Sequence, residues 1–224
     1  MNLKAKIFLT VPAVLFFNLS ICAQPTILQD DEDVQSWNDV QITVPLSKRF
    51  DFVTGFITRF GKNISRLNDG RFLIGYSWKP TKALTVSPFY MHIRARNALG
   101  RFRIEHRLHL RAAYKFPIKR FGLSHRSQFE YRLRSPRNTW RYRPSLTFEK
   151  EIPKRFVPDA KFYVTEEPFY DSATSKFSRN RFYVGIVKTL SKSLSLDIYY
   201  LRQNDGFSRP GDLNVIGTSW KVKL

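Results

Sequence analysis

Residues Arg101–Arg134 read RFRIEHRLHLRAAYKFPIKRFGLSHRSQFEYRLR. Taking every second position gives Phe102, Ile104, His106, Leu108, Leu110, Ala112, Tyr114 and Phe116. The positions between them are Arg101, Arg103, Glu105, Arg107, His109, Arg111, Ala113 and Lys115. Successive side chains of a strand point to opposite faces, so one face is nearly all apolar and the other densely charged. After a turn at Pro117–Arg120 the pattern resumes. Leu123, His125, Ser127, Phe129, Tyr131 and Leu133 share one face, and Arg126, Gln128, Glu130, Arg132 and Arg134 the other. These runs exceed the usual strand length of about five or six residues. Long alternating strands predict a transmembrane β-barrel, apolar outside and polar inside.

The N-terminus agrees with export. Lys4 and Lys6 precede a mostly apolar run from Ile7 to Leu19, followed by Ser20-Ile21-Cys22-Ala23-Gln24. This has the anatomy of a secretory signal over residues 1–23, cleaved after Ala23, and is too short for a stable helical span. The single cysteine, Cys22, leaves with it, so no disulfide framework, thiolate metal site or cysteine nucleophile is expected in the mature chain. A lipoprotein role for Cys22 is disfavoured by the bulk of Ile21 before it. Residues 24–36 are polar, with Asp30-Asp31-Glu32-Asp33 in a row, and read as a flexible acidic segment. No EF-hand spacing accompanies these carboxylates. Residues 37–224 are then the barrel. No later run of about 18 apolar residues provides a helical span.

Alternation begins near Trp37 and recurs to the C-terminus, where Ile216, Thr218, Trp220, Val222 and Leu224 share a face. Short turns hold Lys48, Lys82, Lys119, Lys154 and Lys192, at separations of 34, 37, 35 and 38 residues. Three of them repeat Lys-Arg-Phe, at Lys48, Lys119 and Lys154. Each period is one hairpin: strand, longer loop, strand, short turn. The longer loops are expected at Gly61–Gly70, Pro168–Ser178 and Asn204–Asp212. This asymmetry predicts an all-β, single antiparallel up-and-down barrel with short periplasmic turns and longer extracellular loops. Phe50, Trp78, Phe121 and Phe156 beside the short turns suit an interfacial girdle. About eleven strands can be counted. Bacterial barrels have even numbers, which favours about 12 (10–12), with the acidic segment either adding a strand or threading the lumen.

The charged face supplies the candidate site. Arg103, Glu105, Arg107, Arg111, Arg126, Glu130, Arg132, Arg141, Arg143 and Glu149 are expected to line the lumen. Small barrels fill their interiors with paired side chains, which accounts for these residues structurally. A turn at Ile118-Lys119 would set Arg107 against Glu130 and Glu105 against Arg132, each pair contributing roughly 0.2–1 kcal/mol. An arginine-lined path for small anionic solutes is the functional reading, compatible with the first. Lys48, Arg49, Lys119, Arg120, Lys154 and Arg155 are basic periplasmic turn residues, either simply solvated or touching anionic headgroups.

Catalysis finds little support. Ser127 lies two residues from His125 on the apolar-face phase, the spacing a lipid hydrolase on a barrel wall would need, but no supporting Asn motif is present. No cofactor motif and no metal spacing occur. Net charge is +20, from 38 Lys and Arg against 18 Asp and Glu. Period-two interleaving throughout and an export signal argue against nucleic acid as partner.

The Trp37 opening, the Lys48-Arg49-Phe50 turn, Arg103-Ile104-Glu105-His106-Arg107, and Tyr199-Tyr200 before Gly217-Thr218-Ser219-Trp220 resemble the domain-of-unknown-function 2490 family. The resemblance covers about Ser36 to Leu224. It implies an outer-membrane barrel with no assigned activity. Leu224 stands where such barrels usually end in an aromatic residue read by the barrel-assembly machinery, although Trp220 shares its face. The expected protein is therefore an outer-membrane barrel, structural or a narrow anion-preferring passage, with outer-membrane lipid around it. Period two alone does not say which face is inward. A secreted soluble β-sandwich or barrel that binds a ligand is one alternative, and a lipid-modifying enzyme the other.

Overall fold

The structure is a computed structural model that describes residues 32–97 and 99–224. The signal peptide expected over residues 1–23 lies outside the described residues. Eleven strands follow one another: β1 (Glu32–Pro45), β2 (Phe50–Gly61), β3 (Arg66–Trp78), β4 (Leu84–Arg96), β5 (Phe102–Lys115), β6 (Gly122–Leu133), β7 (Thr139–Glu151), β8 (Ala160–Asp171), β9 (Lys176–Thr189), β10 (Leu194–Asp205) and β11 (Asp212–Lys223). Each pairs antiparallel with its neighbour, and β1 pairs with β11 to close the barrel.

The odd count meets the parity difficulty directly. β1 and β11 run parallel, from Glu32↔Asp212 to Thr43↔Lys223, so no twelfth strand is required. Parallel bonds are slanted and slightly less stable per residue. Side chains reinforce the seam: Thr218 Oγ1 donates to Asn38 Oδ1 at 2.7 Å, and Asn214 Nδ2 to Glu32 Oε1 at 2.7 Å. β1 starts at Glu32, ahead of the expected Trp37. Glu32 to Ser36 therefore belong to the wall and not to the acidic segment.

Connections are of similar length at both rims. The longer loops expected at Gly61–Gly70, Pro168–Ser178 and Asn204–Asp212 shrink to 62–65, 172–175 and 206–211. The polar residues read as loop continue the ladders, because their inward neighbours are themselves polar. Where the backbone lacks donors the ladders break. The β3–β4 register lacks pairs between Gly75↔Phe89 and Trp78↔Val86, around Pro88 as expected. The β7–β8 register lacks them between Tyr142↔Tyr170 and Leu146↔Glu166, around Pro144 and Pro168.

The face question is settled by exposure. Leu108 is 51% and Phe129 43% exposed, while Arg107 and Arg132 are 8% and 4% exposed and Glu130 is wholly buried. Apolar side chains cover the outside, and the inside holds the charged and polar side chains together with buried apolar ones such as Ile93 and Leu201. Outward rings meet near both rims, Phe50 stacking on Trp78 at 6.3 Å and Trp140 on Tyr170 at 5.4 Å.

Inside, size alternates along one tier of the wall. Tyr163 pairs with Gly185, Gly185 with Tyr199, Tyr199 with Gly217, and Gly217 with Trp37. Each glycine leaves room for a neighbouring ring, as narrow barrels require. A Cβ on Gly217 would lie 2.0 Å from Tyr199 Cζ. Gly217→Ala is therefore expected to cost about 1–3 kcal/mol, the range for overpacking. Urea unfolding in lipid vesicles measures it.

Candidate functional site

The interior has two kinds of wall. One is apolar: Val53, Leu73, Phe89, Met91 and Ile93 on β2–β4 form one cluster. Trp37, Leu201, Leu213 and Val215 on β1, β10 and β11 form another. The other wall, β5 to β9, is a guanidinium–carboxylate lattice. The even-numbered apolar residues of β5 and the odd-numbered ones of β6 face outward, so the odd-numbered residues of β5 and the even-numbered residues of β6 project inward.

Glu130 and Glu167, both fully buried, are its centres. Glu130 accepts from Gln128 Nε2 at 2.7 Å and from Arg143, with Arg107 Nη1 3.6 Å away. Glu167 accepts from Arg143 Nη2 at 2.9 Å on each oxygen, from Tyr183 Oη at 3.2 Å and from Arg126. Glu105 accepts from Arg107 Nε at 2.5 Å and from Arg132 Nε at 2.6 Å. Asp171 pairs with Arg141, and Asp205 with Arg179. Across the barrel, Asp69 is held by Arg71 through two bonds of 2.7 Å. Charge-assisted, bidentate bonds of this kind are roughly twice as strong as neutral ones.

The direct pairing expected in the central hairpin does not occur. Arg107 pairs with Arg132, and His109 with Glu130. Pro117 offers no donor, Ile118 N bonds Phe116 O at 2.8 Å, and the hairpin turns about Lys119-Arg120, one residue later than expected. Charges meet along diagonals instead. Glu105 sits between Arg107 on its own strand and Arg132 on the next, so like-charged partners each find the same carboxylate. Cross-strand charge matching chose the wrong register because arginine reaches two residues along the ladder.

Of the residues expected in the lumen, Glu105, Arg107, Arg111, Arg126, Glu130, Arg132, Arg141 and Arg143 face inward and, Arg111 apart, join this lattice through ion pairs. Arg103 is exposed at the rim where β5 begins. Glu149 lies near the other rim, half-exposed, 3.5 Å from Lys161. The turn residues Lys48, Arg49, Lys119, Arg120, Lys154 and Arg155 are all exposed. Sequence reading missed Arg59, Asp69, Arg71, Glu167, Phe169, Asp171, Arg179, Arg181 and Asp205. Several fell in supposed loops. The signal was there, since Arg179, Arg181 and Tyr183 keep the inward phase of β9.

A cavity of about 160 Å³ lies amid this lattice. Its lining includes Arg59, Arg71, Arg107, Arg111, Arg141, Arg143, Arg179 and Arg181, together with His109, Gln128 and Phe169, and it contains no carboxylate. Aromatic faces support the cations: Arg59 lies 3.5 Å from the Trp37 ring centre, and Arg181 4.8 Å from those of Trp37 and Phe169.

On the outer face, His125 Nε2 and Ser127 Oγ lie 3.0 Å apart, and Ser127 Oγ and Tyr142 Oη also 3.0 Å. Among the described residues no carboxylate bonds His125, so the orienting third member of a nucleophile–base relay is missing. No group of metal-ligating side chains occurs among the described residues.

None of the curated proteins compared matches this chain. Among solved structures, the chain is similar to the porin NanC in its rhombohedral crystal form. The TM-score is 0.53 at 12% identity, covering 86% of this chain and 99% of that one. That likeness is one of fold. The protein family described as "Protein of unknown function (DUF2490)" matches residues 34–214, nearly the whole barrel wall, and the chain belongs to that family.

Proposed function

We propose that this protein is an outer-membrane barrel providing a narrow, anion-preferring passage for small solutes. The observation that carries the reading is the excess of guanidinium over carboxylate around the central cavity, inside a wall whose outer surface is apolar. Rings of cationic side chains select anions because the low-dielectric surroundings magnify their field. Fully buried Glu130, Glu167 and Gln128 leave little open bore, so the passage is narrow. The similarity to a porin fold supports the same reading. Outer-membrane lipid surrounds the apolar belt, and the barrel-assembly machinery inserts it.

Planar-bilayer recording of the refolded mature chain tests this. Small steps with an anion-selective reversal potential are expected. Arg111→Gln and Arg181→Gln are each expected to lower the anion-to-cation permeability ratio several-fold. Cation selectivity, or silence from a barrel shown to be folded and inserted, overturns the proposal.

A further inference from the structure

Not every arginine of the cavity is ion-paired: Arg181 stands opposite Glu167 in the ladder, yet no ion pair joins the two. Among the described residues Arg111 and Arg181 have no carboxylate within 4.0 Å. Arg111 Nε donates to Gln128 Oε1 at 3.0 Å, and Arg181 Nε to Gln203 Oε1 at 2.9 Å. Arg59 is 3.9 Å from Asp69, which Arg71 already engages twice, and Arg59 Nε has no acceptor among the described residues. His109 is 5% exposed, lines the same cavity, and its Nε2 likewise has no hydrogen-bond partner.

Guanidinium stays charged in any protein setting. Amide and aromatic partners supply acceptors and a favourable quadrupole but no negative charge. Three cations gathered around one cavity repel one another, and a ligand with two charges and several acceptor oxygens relieves this. Guanidinium forks match such oxygens two at a time.

We propose that the cavity is a binding site for a small dianionic oxyanion, held by Arg59, Arg111 and Arg181. The proposal rests on the reading of the lumen as an anion path and fixes where on that path an anion halts. His109 Nε2, 4.0 Å from Glu130 Oε1 and without a hydrogen-bond partner among the described residues, gives a further polar contact. Conduction through such a site requires binding weak enough to release, so the site is a staging post and not a trap.

The refolded full barrel in detergent is titrated with inorganic phosphate at constant ionic strength set by sodium chloride. Heat of binding and the fluorescence of Trp37, which packs beneath Arg59, are followed. Saturable binding is expected. Arg181→Gln and Arg111→Gln should each weaken it tenfold or more, while Lys192→Gln, in an exposed turn, leaves it unchanged. If Arg181→Gln does not fold, Arg59→Lys keeps the charge but loses the fork and is expected to weaken phosphate several-fold. Absence of saturable binding to the folded wild type, or equal weakening by Lys192→Gln, overturns the site. Phosphate binding with a silent bilayer would sink passage and keep the site. Anion-selective current without saturable binding would sink the site and keep passage.

Discussion

Glu167→Gln is expected to cost the folded barrel about 3–5 kcal/mol, the penalty for stranding buried charge. Glu167 is wholly buried and serves Arg143, Arg126 and Tyr183 together. Glutamine keeps the volume and one acceptor oxygen but removes the negative charge. Arg143 then retains only Glu130, and Arg126 loses the one carboxylate it has among the described residues. The loss is read as a lowered midpoint for urea unfolding in lipid vesicles. Adding Arg126→Gln to Glu167→Gln is expected to recover part of it, since the stranded cation goes too. A change below about 1 kcal/mol would mean that water already screens the lattice.

Leu108→Arg is expected to cost about 2–4 kcal/mol, the depth-dependent penalty for arginine on the lipid face at mid-membrane. Leu108 lies midway along β5 and points outward. The same substitution at Leu133, at the rim end of β6, is expected to cost about 0–1 kcal/mol. Vesicle unfolding of both variants gives the contrast. In a soluble barrel, Leu108→Arg would replace an exposed leucine on a wetted surface and be close to neutral. A neutral result would therefore remove the membrane assignment, whatever the conductance shows.

Much of this fold is readable from residue order because β side chains alternate over long runs. Phe102 to Phe116 and Leu123 to Leu133 declare two strands and their facing, and the Lys-Arg-Phe turns declare the hairpin period. Where reading fails, it fails at rims and across strands. Asp69 and Asp171 looked like loop residues because polarity marks both loops and the lumen of a barrel. Phase, not polarity, tells them apart: Asp171 keeps step with Glu167 and Phe169. The Arg107–Arg132 register was not legible from opposite-charge matching, because long side chains satisfy one another diagonally. The closure of the barrel was not legible either. Nothing local to Val34 or Ile216 distinguishes a parallel partner from an antiparallel one. The cavity's Arg59, Arg111 and Arg181 come together from three strands, β2, β5 and β9, beyond any local pattern.

The parallel seam between β1 and β11 carries a geographic consequence. With an even number of staves a barrel chain enters and leaves at the same hoop. Here the first stave begins beside Asp212 and the last finishes beside Thr43. Glu32 and Leu224 thus stand at opposite rims, and across a membrane the two would look out on different compartments.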